Sequence, residues 1–356
     1  MTSKERVLCA IERKAVDRVA IDFHAKEEVV EALARRLNVR NYEEVENRLG
    51  SDLRRIRPSH PSEVSPMRYA DPTVAITSDG LYRDIWGVGF KANQTSNGLY
   101  MDLADSPLAY AGCLGALHKH KWPSADDLDY SGIYQQALKY KDKWVWFNAR
   151  GVFEVSWFMR GFENFLADLA AEPEMACYLM DSVLKYQIDR ARRILDAGKG
   201  LIDMVEYNDD MGTQQNMFIS PSMWREYIKP RMARFIQVCK KEYGVKIRYH
   251  SCGAISPIIE DLIEIGVDML NPIQTLATGM QPPALAESFG GRITFNGGID
   301  TQQLLPHASA DTVRTDTASL IKLFGPGFVL APSHRFQSDV PIDNILAVYD
   351  TALQHN

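Results

Sequence analysis

From residue 144 onward, short apolar runs alternate with longer stretches whose apolar residues recur at helical spacing. The runs are Trp144–Phe147, Ile202–Tyr207, Lys246–Tyr249, Val267–Leu270, Arg292–Phe295 and Phe328–Ala331, each of strand length and rich in β-branched or aromatic residues. Between and after them the 3.6-residue pattern predicts helices over 154–171, 174–198, 221–243 and 341–354. Pro173 and the pair Ser220-Pro221 supply first-turn and cap signals. Strands alternating with helices imply right-handed crossovers and a parallel sheet. Each strand also ends in polar residues on its carboxyl side: Asn148 and Arg150, Asp209 and Asp210, His250 and Cys252, Asn271 and Gln274, Asn296 and Asp300, then His334. A closed (β/α)8 barrel brings such ends together in one mouth, whereas an open doubly wound sheet brings together only those beside its switch point. No GxGxxG follows any strand. The reading is an α/β chain forming one (β/α)8 TIM barrel domain over residues 1–356.

The first third, to about residue 123, has a different rhythm and reads as an N-terminal elaboration of helices and a β-hairpin. Thr2-Ser-Lys-Glu5 has capping-box form and opens a helix. A strand over 19–23, a helix over 26–38 and a strand over 52–56 follow. Tyr82–Phe90 and Leu99–Leu103 read as the two strands of the hairpin, with a long loop carrying His60, Pro61, Pro66 and Pro72 before it.

Composition narrows the function classes. With 46% hydrophobic and 24% charged residues and a formal charge of −6, this is ordinary globular material without a Lys/Arg block for a nucleic-acid backbone. No uncharged apolar run reaches membrane-spanning length, and no secretory leader is present, so the expected compartment is the cytoplasm. Five scattered cysteines (9, 113, 177, 239 and 252) without a CxxC read as reduced thiols.

The chemistry concentrates at Val245–Gly253. Residues two apart on a strand share a side, so His250 and Cys252 converge where the run Lys246–Tyr249 ends. An imidazole and a thiolate are good zinc ligands, and a third comes most naturally from His334, which ends another apolar run. A lone His-x-Cys is also a common structural accident, so the pair alone leaves both readings open. Glu206, Asp209 and Asp210 close the preceding strand. One of them is a candidate fourth ligand or proton donor, while an Asp near Gly212 serves equally as a turn former. Gln214 is a candidate for orienting a substrate oxygen. Arg150, Tyr249, Gln274 and Asn296 are candidates for the pocket wall, and Trp86, Trp157, Phe158 and Phe336 place aromatics nearby.

Four segments together carry a resemblance: Tyr249-His-Ser-Cys-Gly253, Asn296-Gly-Gly-Ile-Asp300, Asn208-Asp-Asp-Met-Gly-Thr-Gln214, and the opening Lys4-Glu-Arg-Val7 with Asp17-Arg18-Val19. The chain resembles the uroporphyrinogen decarboxylase superfamily, and more closely its zinc-dependent, corrinoid-linked methyltransferase branch. The decarboxylase's arginine-rich signature is absent, its place held by Ala20-Ile-Asp-Phe-His-Ala25. In the methyltransferase branch a His-x-Cys and a later Cys bind zinc. His250 and Cys252 match, and His334 stands where the second Cys is expected, no cysteine lying beyond 252. The resemblance implies Zn2+ on His250, Cys252 and His334, and methyl exchange between a methylated or methoxylated small molecule and a corrinoid (cobalamin) on a separate protein. It also makes a homodimer a reasonable assembly. One thiolate with two neutral imidazoles leaves more positive charge on the metal than two thiolates do, which favours demethylation over thiol methylation. A tetrapyrrole decarboxylase, a corrinoid:thiol methyltransferase and a catalytically idle binding barrel are the alternatives.

Overall fold

The strands, in a computed structural model that describes residues 1–58, 77–95 and 98–354, close a barrel and roof it. In chain order they are β1 (Ala20–Ile21), β2 (Leu53–Arg55), β3 (Tyr82–Arg83), β4 (Gly89–Thr95), β5 (Gly98–Asp105) and β6 (Trp144–Arg150). β7 (Met204–Asn208), β8 (Lys246–His250), β9 (Met269–Asn271), β10 (Thr294–Ile299) and β11 (Phe328–Pro332) complete the set. Eight of them pair in the order β1-β11-β10-β9-β8-β7-β6-β2, every ladder parallel. The circle closes between β1 and β2 by a different device. Asp52 N donates to Ile21 O at 2.8 Å, and Ile21 N donates to the Asp52 carboxylate at 2.9 Å. A side chain thus stands in for a rung of the ladder.

That carboxylate is fully buried and also accepts from Arg6 Nη1 (2.7 Å) and from Arg18 Nη1 and Nη2 (2.8 and 3.0 Å). Arg6 lies on the first helix, Ser3–Ile11, whose capping box is formed as expected, Glu5 N donating to Thr2 Oγ1 and Thr2 N to Glu5 Oε2. Val7, Ala10 and Ile11 of this helix pack on Ala20, Leu53, Trp144, Trp146, Met204, Met269 and Val329, the apolar filling of the barrel's lower half. The helix therefore plugs the floor, and the polar strand ends are left at the other end. A larger apolar layer lies between the strands and the outer helices.

The hairpin is a three-stranded antiparallel sheet, β3-β4-β5, and it differs from the expectation in one respect. Tyr82–Phe90 is not one strand. The Asp84 carboxylate accepts from Trp86 N and Val88 N, folding 84–88 into a turn, and the polar residues after Phe90 continue β4 instead of turning. The sheet reaches over the mouth, Tyr100 Oη donating to Gln337 at 2.7 Å and Asp84 pairing with Arg150 at 3.3 Å. The stretch with His60, Pro61, Pro66 and Pro72 lies outside the described residues.

Two predicted helices are interrupted. The one over 154–171 breaks into Val152–Arg160 and Phe162–Ala171 at Gly161, whose φ of +85° no helix accommodates. The one over 221–243 carries a π-helical turn, Trp224–Ile228, just ahead of Pro230, which has no N–H to continue the α-helical ladder. Among the described residues no helix is long and apolar enough to cross a membrane.

Because Asp52 neutralises two guanidiniums at a seam, Asp52→Ala leaves buried Arg6 short of a carboxylate and should cost about 3–5 kcal/mol. A urea midpoint shifted accordingly would show it; a change below about 1 kcal/mol would mean that the ladders alone hold the seam.

Candidate metal centre at the barrel mouth

Strand register sets the polar interior in two rows. Asn148, Glu206 and Arg248 are direct partners across β6, β7 and β8, and one step higher Arg150, Asn208, His250 and Asn271 align from β6 to β9. Side chains two apart share a face, so both rows follow the interior Met204 into the barrel. Arg248 is wholly buried at the centre of the lower row. Its Nε is 2.7 Å from the Glu206 carboxylate, its Nη1 donates to Asp22 Oδ2 (2.8 Å) and Asn296 Oδ1 (3.2 Å), and its guanidinium lies 4.1 Å from the Trp146 ring centroid.

This cation dictates the orientation of the amides above it. Arg248 can only donate, so the Asn296 atom facing it is the carbonyl oxygen, and Asn296 Nδ2 is directed to Val329 O at 3.1 Å. Asn271 Nδ2 then donates to the same Asn296 oxygen at 2.7 Å, which leaves Asn271 Oδ1 facing His250 Nδ1 at 2.6 Å. Nδ1 must carry the hydrogen, because two lone pairs would otherwise meet. Turning the first amide round forfeits a hydrogen bond to a charge, about 1.5–3 kcal/mol, or a factor of roughly 10–100 in population. The outcome is a His250 whose Nε2 presents its lone pair to the Cys252 thiol, which lies 3.9 Å away and can donate to it. An outer N–H held by a carbonyl is the usual setting of a metal-binding imidazole.

His250 Nε2 lies 3.9 Å from Cys252 Sγ and 3.8 Å from Asp210 Oδ1, and one donor atom from each of these three residues falls within 4.8 Å of the others. Donors on a tetrahedral ion with bonds of about 2.0–2.3 Å are roughly 3.3–3.8 Å apart, so the three can hold a metal ion with little movement. Burial, then the negative charges of Asp210 and Glu154, push the Cys252 thiol well above its ordinary value. A thiol so placed ionises only against a cation. The loops after β7 and β8 are fastened together to make this meeting possible. Cys252 N donates to Asp210 Oδ1 at 2.8 Å, Met211 N to Ser251 Oγ at 2.9 Å and Ala254 N to Thr213 O at 2.8 Å. Gly253, at φ +84°, passes so close to Gly212 that a Cβ there would sit 2.4 Å from its carbonyl carbon.

The other sequence candidates divide. His334, just past β11, is exposed and stands outside that group of three, with Asp210 in the position expected for the third donor. It faces the same space: the surrounding protein and His250 hold its imidazole below the ordinary range, Asp210 opposing them. Glu206 is buried as the partner of Arg248 and Asn148 Nδ2. Burial alone would raise its carboxyl, but Arg248, His250 and the amide keep it lowered, and its two oxygens face Asn148 Nδ2 and Arg248 Nε. Asp209 points to the outside of the barrel, where it caps helix Val152–Arg160 by accepting from Phe153 N and Glu154 N. Tyr249, between two inward residues, likewise faces outward, is fully buried and donates to Asp209 O; neither lines the mouth. Asn296 belongs to the amide relay. Gln274 Oε1 accepts from Gly253 N, a bracing role, and Gln214 is exposed. Arg150 is at the mouth, paired with Asp84 and Glu154. Trp86 and Phe336 are core residues, while Trp157 and Phe158 stack half-buried at 3.8 Å.

Glu154 is the site residue that sequence reasoning missed. It opens the helix after β6, accepts from Asn208 Nδ2 at 3.2 Å, and lies 3.5 Å from Arg150. Burial, with Asp210 adding to it and Arg150 and His250 opposing, raises its carboxyl above the usual range. Its one sequence signal was the spacing, four residues beyond Arg150 and directly after a strand.

Residues 145–355 match the family model described as uroporphyrinogen decarboxylase (URO-D). Among solved structures, a methyltransferase from Methanosarcina mazei superposes with a TM-score of 0.66, covering 99% of each chain at 16% identity, a likeness of fold. No curated protein matches the chain.

The relay makes a separable claim. Asn271→Leu removes the acceptor of His250 Nδ1–H, frees the ring to take either tautomer, and should weaken divalent-metal binding about 10–100-fold. A chelator competition titration reads this directly; unchanged affinity would show that the relay does not set the ligand.

Proposed function

Because the chain belongs to the uroporphyrinogen decarboxylase (URO-D) family, we propose that its barrel mouth is a zinc-dependent methyl-transfer site. It takes a methyl group from a methoxylated or methylated small molecule to a corrinoid carried by a separate protein. The observation that carries this reading is the meeting of His250 Nε2, its lone pair turned inward by the Asn271 contact at Nδ1, with Cys252 Sγ and the Asp210 carboxylate. One imidazole, one thiolate and one carboxylate suit zinc, and three protein donors leave a position open for substrate. Zinc bound there would polarise an ether or alcohol oxygen, so that its methyl departs more readily. His334, just past β11, is the residue we assign to the rim of that open position, a nitrogen that substrate would displace from the metal.

The chain's own residues supply the rest. Asp210 is held by Cys252 N, so the carboxylate and the thiol approach as a unit. Its hard oxygen, in place of a second soft thiolate, favours an oxygen-bearing substrate over a thiol. Glu154, its carboxyl raised, is the group that can keep a proton near the leaving oxygen and give it up as the methyl leaves. Asn208 and Arg150 orient it. Trp157 and Phe158 offer a flat wall. A tetrapyrrole decarboxylation would leave this donor set without a task.

The test is methyl transfer in both directions, with metal content recorded. Zinc-loaded protein should demethylate a methoxyaromatic with reduced cobalamin as acceptor, and should methylate a thiol from methylcobalamin poorly. Glu154→Gln should lower the demethylation rate by about 10²–10⁴ while keeping the zinc. Ready thiol methylation with no ether turnover would contradict the assignment.

A further inference from the structure

The opposite wall of the mouth is basic. Leu53 lies in the barrel's apolar interior, so Arg55, two residues along β2, points inward as well, and Arg57 follows at the strand's end. Across the closure, β1 and then β11 are the next strands round, and Arg335 follows β11 directly after His334. Arg190 arrives from helix Pro173–Gly198, its Nη1 donating to Asn148 O at 2.9 Å. Arg55 lies over Trp146 at 5.5 Å from the ring, the same indole that Arg248 covers at 4.1 Å.

Arg55 and Arg335 are not the counter-charges of the carboxylates beneath them. Asp22 and Glu206, the carboxylates beneath them, are already engaged by Arg248, and Asp22 also by His24 at 2.9 Å. Among the described residues neither Arg55 nor Arg335 is paired with a carboxylate, and Arg248 Nη2 has no hydrogen-bond acceptor although fully buried. Arg55 is open to solvent yet ringed by protein. Burial, opposed by Glu206 and reinforced by Arg335, Arg57 and Arg190, takes its guanidinium down to about 10, still protonated at neutral pH. Mutual repulsion of that kind is relieved by an anion between the guanidiniums, and a planar carboxylate matches their fork.

We propose that Arg55 and Arg335, with Arg57 and Arg190 beside them, form a subsite for the carboxylate of a methoxylated carboxylic acid, turning its ether oxygen toward Asp210, His250 and Cys252. This rests on the mouth being the active site and adds the class of substrate. The acidic, metal-binding wall takes the reacting end, and the basic wall takes the anchoring end.

Binding tests it without requiring turnover. Isothermal titration of the zinc-loaded protein would compare 3-methoxybenzoate, 4-methoxybenzoate and methoxyacetate, each against its primary amide. At least one acid should bind ten times or more tighter than its amide. Arg55→Gln and Arg335→Gln should each reduce that acid's affinity tenfold or more, leave amide binding within about twofold, and leave the zinc content unchanged. The subsite is overturned if no acid is preferred over its amide, or if both variants bind the preferred acid as wild type does. Loss of acid binding in the variants of a protein that transfers no methyl group would support the subsite and contradict the reaction instead.

Discussion

A single buried cation governs the interior of this barrel. Arg248 has no exposed surface, and burying a guanidinium is tolerable only with charged and hydrogen-bonded partners around it. Those partners come from strands far apart in sequence: Asp22 after β1, Trp146 of β6, Glu206 of β7 and Asn296 of β10. The residues that surround it are therefore fixed in kind and in orientation. Glu206 is consumed as a counter-charge, and the Asn296 amide has one permitted direction. That direction passes through Asn271 to the tautomer of His250. A charge at mid-barrel thus sets the orientation of a candidate ligand at the rim, through hydrogen bonds that also hold the barrel interior.

Above that layer the mouth is divided. Strands β6 to β8 contribute Glu154, Asp210, His250 and Cys252 from their ends and following loops, while β2 and β11 are followed or ended by arginines. The division follows from the closed topology, which sets β2 beside β6 and β11 beside β1 and so returns the chain's two ends to one rim. The three-stranded sheet lies above both halves, touching Arg150 through Asp84 on one side and Gln337 through Tyr100 on the other. On the proposed reading, a molecule in the mouth would meet anionic donors on one side and guanidiniums on the other, and this would orient it before any chemistry.

Much of this was legible in the chain. Strand–helix alternation from Trp144 and the polar strand ends specified a barrel and the end that carries the candidate site, because both depend on periodicities of 2 and 3.6. His250 and Cys252 converge because they are two apart at a strand end. What alternation also contained, but was not drawn from it, is the outward direction of Tyr249 and Asp209. The third donor was less accessible. Asp210 reaches Cys252 because Gly212 and Gly253 touch, a contact between loops that no spacing encodes. His334 looked equivalent on composition, yet the three-donor group forms without it. The break at Gly161 and the π turn before Pro230 were written as single residues inside strong helical patterns, where the pattern outweighed them.

The central claim is that one sulfur, one imidazole nitrogen and one carboxylate oxygen of this chain meet on a metal at the barrel mouth. X-ray absorption at the zinc edge of the zinc-loaded protein measures that set directly. The account predicts one sulfur at about 2.3 Å with two or three nitrogen or oxygen scatterers at about 2.0–2.2 Å, and loss of the sulfur shell in Cys252→Ser. A shell of nitrogen and oxygen alone, or one with two sulfurs, would contradict it.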